Sequence, residues 1–179
     1  MIEEKATGIK FRREWAMPDQ WTFRIQPIRE IVFKYVGDGK RWIDPFAGEN
    51  SPAEITNDLN PERPAKFHMK AEDFLQQLIG DFDGILFDPP YSNRQMKECY
   101  EGVGFKFTFE DSQSLFQYEK KLAAPKIRTG GIAICCGWNS GGFGKGLGFE
   151  MLEILLVPHG GAHHDTIVTV ERKFQHSLF

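Results

Sequence analysis

The chain has 179 residues, 41% of them apolar and 16 of them phenylalanine, which suits one well-filled core and a single domain over 1–179. No run of about 18 apolar residues occurs, so no helix is expected to cross a membrane, and Met1-Ile2-Glu3-Glu4-Lys5 lacks the basic and apolar parts of a secretory leader, which points to the cytoplasm. A net charge of −3 argues against tight binding of nucleic acid by phosphate neutralisation alone.

Residues 1–20 are polar and irregular, ending in Met17-Pro18-Asp19-Gln20. Pro27, Ile28, Ile31, Val32 and Tyr35 recur at helical spacing, with Gly37 beyond them, and predict a helix over 27–36. Strands are predicted at 41–44 (stopped by Pro45), at 54–58 and at 65–69. A helix over 72–79 places Phe74, Leu75, Leu78 and Ile79 on one side. The strand at 83–87 is apolar on both faces, as in the interior of a parallel sheet. A helix is expected over 114–124 and a strand at 131–136. Strands at 151–157 and 166–172 read as an antiparallel hairpin across 158–165. Alternating strands and helices followed by a hairpin give an α/β sheet with mostly parallel strands. Ligands of such sheets sit at the carboxyl ends of the strands, and three of those ends carry acids: Asp44, Asp58 and Asp88.

The most informative segment is Asp88-Pro89-Pro90-Tyr91, which ends the apolar run Gly84-Ile85-Leu86-Phe87. The Asp88 carboxylate and the Pro89 carbonyl can both accept hydrogen bonds from one planar NH2 group. The prolines fix φ and hold that carbonyl in place, while Tyr91 offers a ring to the face of a heterocycle. Two acceptors draw an exocyclic amine toward a tetrahedral, nucleophilic geometry, which is the chemistry of amino-group methylation. Upstream, Asp44-Pro45-Phe46-Ala47-Gly48 follows a strand. Gly48 admits close approach of a ligand and Phe46 can pack on its flat part. Asp58 ends the next strand, where a carboxylate can accept both hydroxyls of a ribose.

These two segments, in this order, resemble the S-adenosylmethionine-dependent, amino-group-specific DNA methyltransferases. They look most like the adenine-N6 kind, and within it the small phage- or prophage-type enzymes. The resemblance covers the chain from about Trp21 to the final hairpin. It implies a Rossmann-like class I methyltransferase fold: a mostly parallel seven-strand sheet with a C-terminal antiparallel hairpin. It implies S-adenosylmethionine as cofactor, held near Asp44, Phe46 and Gly48, with the ribose at Asp58. The segment from Trp21 to Ile28, with Thr22 and Phe23 as its contacts, stands where the family places an N-terminal motif at the methionine end, and Glu72 or Asp73 stands near the acid that touches the adenine ring. Asp88, Pro89, Pro90 and Tyr91 would be catalytic, with Tyr91, Asn93 and Arg94 on a base flipped from DNA.

The chain departs from the family in three places. Glu49-Asn50 stands where a second glycine is usual. The connection between the first two strands is near the minimum for a parallel crossover, so its helix must be very short or absent. The acid after the third strand has two candidates, Glu72 and Asp73.

The partner implied is DNA, duplex or single-stranded. Only 92–111 and a few loops lie between Tyr91 and the hairpin, too little for a separate target-recognition domain. Useful affinity is therefore expected from a homodimer or helper subunit, with Arg12, Arg13, Arg94, Lys97, Lys120 and Lys121 lining the approach to Tyr91. The alternatives are an RNA-base amino methyltransferase and a non-catalytic binding module with this fold. Adenine N6 and cytosine N4 both remain open as acceptors. Cys135 and Cys136 alternate faces of a core strand and read as reduced core cysteines. His159, His163 and His164 lie in a glycine-rich loop whose spacing fits no metal geometry. That loop, and the Asn139–Gly144 turn read as flexible, are expected at solvent or beside the substrate.

Overall fold

The structure, a computed structural model, describes residues 8–104, 106, 116–161 and 163–174. The strands are β1 (Lys10–Arg13), β2 (Trp42–Asp44), β3 (Ile55–Thr56), β4 (Phe82–Phe87), β5 (Ile127–Gly137), β6 (Phe149–Val157) and β7 (Thr166–Lys173). The helices are α1 (Gln26–Val36), α2 (Ala71–Gln77), α3 (Asn93–Gly102) and α4 (Gln117–Ala123). The strands form one sheet in the order β1-β6-β7-β5-β4-β2-β3. β7 runs antiparallel to both neighbours, and every other pairing is parallel.

Each face of this sheet is covered because its strands are apolar on both sides. On one face α1 lays Ile28, Ile31 and Val32 against Leu86, Ile134, Val168 and Val170. On the other, Phe74 and Leu75 of α2 and Ala123 of α4 meet Ile85, Phe87, Cys135 and Phe149. Cys135 and Cys136 thus fall on opposite faces, both buried and reduced, and burial pushes the Cys135 thiol up to about 12.

Several elements depart from the sequence expectation. Residues 10–13, read as irregular, form an edge strand beside β6; Arg12 there donates to the buried Glu153 at 2.9 Å. The strand expected at 65–69 reduces to a single parallel bridge between Asn57 and Phe67. No helix fills the β2–β3 connection; residues 45–54 are turns and extended chain. α2 stops at Gln77, leaving Ile79 94% exposed rather than buried. α3 was not expected at all. The predicted start of the 114–124 helix lies outside the described residues, and α4 runs from Gln117.

The topology fixes where a ligand can lie. β3 leaves β2 on one side and β4 leaves it on the other, so the loops that follow β2 and β4 part company. This opens a crevice at their carboxyl ends.

Candidate active site

A cavity of about 530 Å³ occupies that crevice, within the range of small-molecule sites. It is walled by the β2 loop, the segment after β3, the start of α2, the Asp88–Tyr91 turn, α3 and the N-terminal stretch around Trp21.

The β2 loop is shaped from beneath by Asp44, which is fully buried and does not itself reach the cavity. Its carboxylate accepts from Phe46 N at 2.9 Å and from Ser51 Oγ at 2.6 Å, drawing the loop into a tight turn. Burial raises its pKa to about 7, against the lowering effect of those two donors. Phe46 meets Phe87 and Phe116 edge-on at 5.2 and 5.1 Å and lines the cavity. Gly48 adopts φ +54° and donates its N–H to Asp58 Oδ2 at 2.9 Å. Asp58 also accepts from Asn60 N at 2.8 Å. An ionised carboxylate has about four acceptor positions, so capacity remains for two ligand hydroxyls.

Asn57, beside Asp58, escaped the sequence reading. Its fully buried amide donates to the carbonyls of Pro45 and Met69 and accepts from Met69 N, clasping three cavity walls together. Its neighbours Glu54, Thr56 and Asp58 are polar too, so nothing in the local pattern set it apart. Of the two acids at the start of α2, Glu72 lines the cavity and Asp73 does not, lying exposed instead. Thr22 and Phe23 both line it.

At the end of β4, Asp88, Pro89, Pro90 and Tyr91 all face the cavity. The Tyr91 hydroxyl donates to Asp88 Oδ1 in a short hydrogen bond, and Thr22 Oγ1 lies 3.5 Å from the same hydroxyl. Burial raises the Asp88 pKa to about 6, with the Tyr91 and Thr22 hydroxyls pulling it back down. Ser92 and Gln95 form a capping box at the start of α3. Gln95 Oε1 accepts from Tyr91 N at 2.9 Å, so the cap that begins the helix also fixes the tyrosine backbone. The Ser92-x-x-Gln95 spacing was the missed signal for this helix.

Other expected contacts lie elsewhere. Arg94 projects to solvent from α3, its side chain 87% exposed and paired with Glu98, because it stands on the outer helix face. The side chain of Asn93 lies outside the described residues. None of Arg12, Arg13, Arg94, Lys97, Lys120 or Lys121 lines the cavity. Lys120 donates to the Gly142 carbonyl at 2.6 Å, and Lys97 pairs with Glu101. The Asn139–Gly144 turn is tethered: Glu171 accepts from Phe143 N and Gly144 N at 2.6 and 2.8 Å, and Phe143 packs into the core. His159 is buried between Ala16 O and Thr166 Oγ1 rather than exposed.

Beyond Tyr91 the aromatic surface continues. Its ring meets Trp138 edge-on at 5.8 Å, and Trp138 lies 4.2 Å from the ring of His164 at 34°. Trp138 follows β5 and His164 precedes β7, so both stand at the cavity end of the sheet, and both are exposed.

No protein-family model and no curated protein matches the chain by sequence. Solved structures do match by shape. TrmN from Thermus thermophilus superposes with a TM-score of 0.57 at 17% identity over 84% of this chain. The match takes in 49% of TrmN, so this chain spans about half the length of that protein. The 1,6-didemethyltoxoflavin-N1-methyltransferase of Burkholderia thailandensis, solved with 1,6-didemethyltoxoflavin and S-adenosylhomocysteine, gives 0.56 at 14% identity, covering 84% of this chain and 78% of its own. NSun6 from Pyrococcus horikoshii, solved with SFG, gives 0.50 at 16% identity over 75% and 48%. The chain has the Rossmann-like α/β fold of these proteins.

Proposed function

We propose that this protein transfers a methyl group from S-adenosylmethionine to the exocyclic amine of a nucleobase, with N6 of adenine in DNA as the leading acceptor. The observation that carries this reading is the Asp88–Tyr91 turn, whose acid, two prolines and tyrosine all line the cavity. On the cofactor side, the Asp58 carboxylate with spare acceptor positions suits a ribose diol. Phe46 suits a flat group, Gly48 holds Asp58 by its N–H and takes the Trp21 ring against its open side, and the cavity of about 530 Å³ is ample for a nucleoside-sized ligand. The S-adenosylhomocysteine bound to the Burkholderia enzyme of the same fold is consistent with that fit.

S-adenosylmethionine supplies a methyl already activated on a sulfonium. The protein's task is then alignment and electrostatics rather than nucleophilic attack. Asp88 and the Pro89 carbonyl accept from the two N–H bonds of the amine and direct its lone pair toward the cavity. Tyr91 is anchored by its hydroxyl on Asp88 and by its backbone on Gln95, and holds the heterocycle by its ring. Trp138 and His164 extend that flat surface outward, which suits a base presented outside a duplex.

RNA is the second reading, because an aromatic platform of Tyr91, Trp138 and His164 accepts any unstacked base. The same sites also bear on partners. The six basic residues expected along the approach to Tyr91 sit away from the cavity and several are paired, so a homodimer or helper subunit is the proposed source of backbone affinity. The deciding experiment offers labelled S-adenosylmethionine with duplex DNA, single-stranded DNA and RNA. Label in N6-methyladenine from DNA is expected, label only in RNA would move the assignment there, and none in any polymer would end the nucleobase reading.

A further inference from the structure

One aromatic side chain ties the N-terminal stretch to the wall of the cavity. Trp21 is fixed at its backbone, where its N–H donates to Asp19 Oδ1 at 2.9 Å and its carbonyl accepts from Arg24 N at 2.9 Å. Its ring lies on Gly48 so closely that a β-carbon there would stand 3.1 Å from it. The Arg63 guanidinium sits 4.8 Å from the centre of the same ring, and Arg63 in turn pairs with Glu49 at 2.6 Å. Three separate segments are thereby joined: the N-terminal stretch, the β2 loop and the connection between β3 and α2. Trp21, Gly48, Glu49 and Arg63 all line the cavity, and Gly48 is the residue whose N–H is held by Asp58.

Surface packing alone would not call for this arrangement. A tryptophan that only covered the core would be buried in it, whereas this ring lies against the cavity and touches a glycine where a larger residue would be both crowded and strained. An ordinary crossover puts a helix after β2, and here there is none. The arch occupies the flank of the β2 loop instead, and Glu49, where a second glycine was expected, is one of its members. A planar guanidinium over an indole is attracted by the ring quadrupole, and lysine cannot reproduce both that stacking and the fork toward Glu49.

We propose that Trp21 is a ligand-contacting residue of this cavity, held over its Asp58 end by Arg63 and Glu49, and that this arch sets how fast the occupant leaves. The proposal rests on the reading of the cavity as the cofactor site and adds to it the residue that closes it. Arg63 and Glu49 act through Trp21 and are positioning residues.

The test measures dissociation of labelled S-adenosylhomocysteine by rapid filtration, with affinity and melting temperature taken alongside. Trp21→Ala is expected to speed release about tenfold, and Trp21→Phe to recover most of the parental rate. Arg63→Ala and Glu49→Gln are each expected to speed release about three- to tenfold. The Arg63→Ala/Glu49→Gln double variant should be little worse than Arg63→Ala, because the two act as one support. Arg63→Lys should fall short of rescue. The Arg63 and Glu49 side chains are 33% and 36% exposed, so these variants fold even should Trp21→Ala not. Parental release rates in Arg63→Ala and Glu49→Gln would overturn the proposal and leave the cofactor reading standing. A parent that fails to bind S-adenosylhomocysteine would overturn both.

Discussion

Tyr91 and Asp88 are joined by a hydrogen bond from the phenol to the carboxylate, so the ring and the acceptor of the catalytic turn move as one unit. A substrate amine must therefore take the second carboxylate oxygen or displace the phenol from the first. This separates two variants that would otherwise look alike. We predict that Asp88→Ala loses transfer by about 100-fold or more, as when one oriented electrostatic partner is removed from a preorganised site. Tyr91→Phe keeps the ring and should retain most turnover, but the hydroxyl that lowers the Asp88 pKa is gone. The acid limb of its pH–rate profile should then move above the parental value of about 6. Near-parental turnover in Asp88→Ala, or an unmoved limb in Tyr91→Phe, would show that this turn does not do the chemistry.

Stability should respond to pH with opposite signs at two places. Asp44 and Asp88 have folded-state pKa values of about 7 and 6, raised chiefly by burial. The folded state holds these protons more tightly than the unfolded chain does. The contribution is complete below the ordinary carboxyl pKa and is lost as pH rises through 6 to 7. Glu153 is the reverse. Burial alone would raise it, but hydrogen bonds from Lys34 and Tyr35 and a contact from Arg12 bring it down to about 2. Its contribution is present above about 4.5 and is lost as pH falls toward 2. Melting curves should show Asp88→Asn gaining on the parent from pH 5 to 8. Glu153→Gln should lose most at neutral pH and approach the parent in acid.

The fold was legible wherever the chain's own pattern decided local structure. Apolar runs with flanking turn residues located β4, β5, β6 and β7, and helical periodicity with Pro27 and Gly37 located α1. What failed depended on distant partners. Residues 10–13 become a strand because β6 has a free edge and Glu153 awaits Arg12, and neither fact can be read from those four residues. Phe67 looked like the centre of a strand, yet only one bridge forms, because its partner β3 is two residues long and the chain turns into α2 soon after Phe67. At the site, the acids and aromatics of the two motifs were readable as residue types at strand ends. Trp21 entered only as part of the Trp21–Ile28 segment that the resemblance put near the cofactor. Asn57 and Trp138 were not readable, since their place at the cavity or beside Tyr91 comes from folding separate segments together.

Glu171 offers a clean test of a buried tether. Its carboxylate receives Phe143 N and Gly144 N, and a β-carbon at Gly142 would stand 2.1 Å from Glu171 Oε2. Removing the acid leaves two backbone donors unmade. Glu171→Ala should cost about 1–3 kcal/mol in denaturant unfolding and expose 139–148 to limited proteolysis. Gly142→Ala suffers both the clash and a φ of +54°. In the Glu171→Ala background only the backbone strain remains, so Gly142→Ala should cost less there than in the parent. Equal costs in both backgrounds would show that the carboxylate does not set the loop.

Asp58 has two jobs, and substitution can separate them. Asp58→Ala loses the Gly48 and Asn60 bonds together with any ligand hydroxyls. Calorimetry with S-adenosylhomocysteine should show an affinity loss of about 1.5–3 kcal/mol, along with a lower melting temperature. Gly48 itself gives no useful control, because any side chain there meets Trp21. Asn60→Ala keeps the backbone N–H that reaches Asp58 and loses its cap on Glu62, but its side chain lines the cavity, so its affinity loss should be present and smaller than that of Asp58→Ala. An Asp58→Ala protein with parental affinity would move the ribose site off this carboxylate.

The outer aromatic surface makes the last prediction, about the substrate alone. Trp138 touches Tyr91 on one side and His164 on the other, and it is not among the residues that line the cavity. If a nucleobase enters along this surface, Trp138→Ala removes stacking area without disturbing cofactor affinity. Base–aromatic stacking is worth about 1–3 kcal/mol per base, so KM for a single-stranded adenine oligonucleotide should rise about 5- to 100-fold. Release of S-adenosylhomocysteine should be unchanged. His164→Ala should follow in the same direction by less, because its ring reaches the substrate path only through Trp138. Trp138→Phe keeps a flat surface and should recover much of the loss. The pattern to look for is a KM effect graded from Phe to Ala with kcat nearly constant. A Trp138→Ala enzyme with unchanged KM would place the substrate on another side of Tyr91, and a loss confined to kcat would make Trp138 a support for the tyrosine rather than a contact for the base.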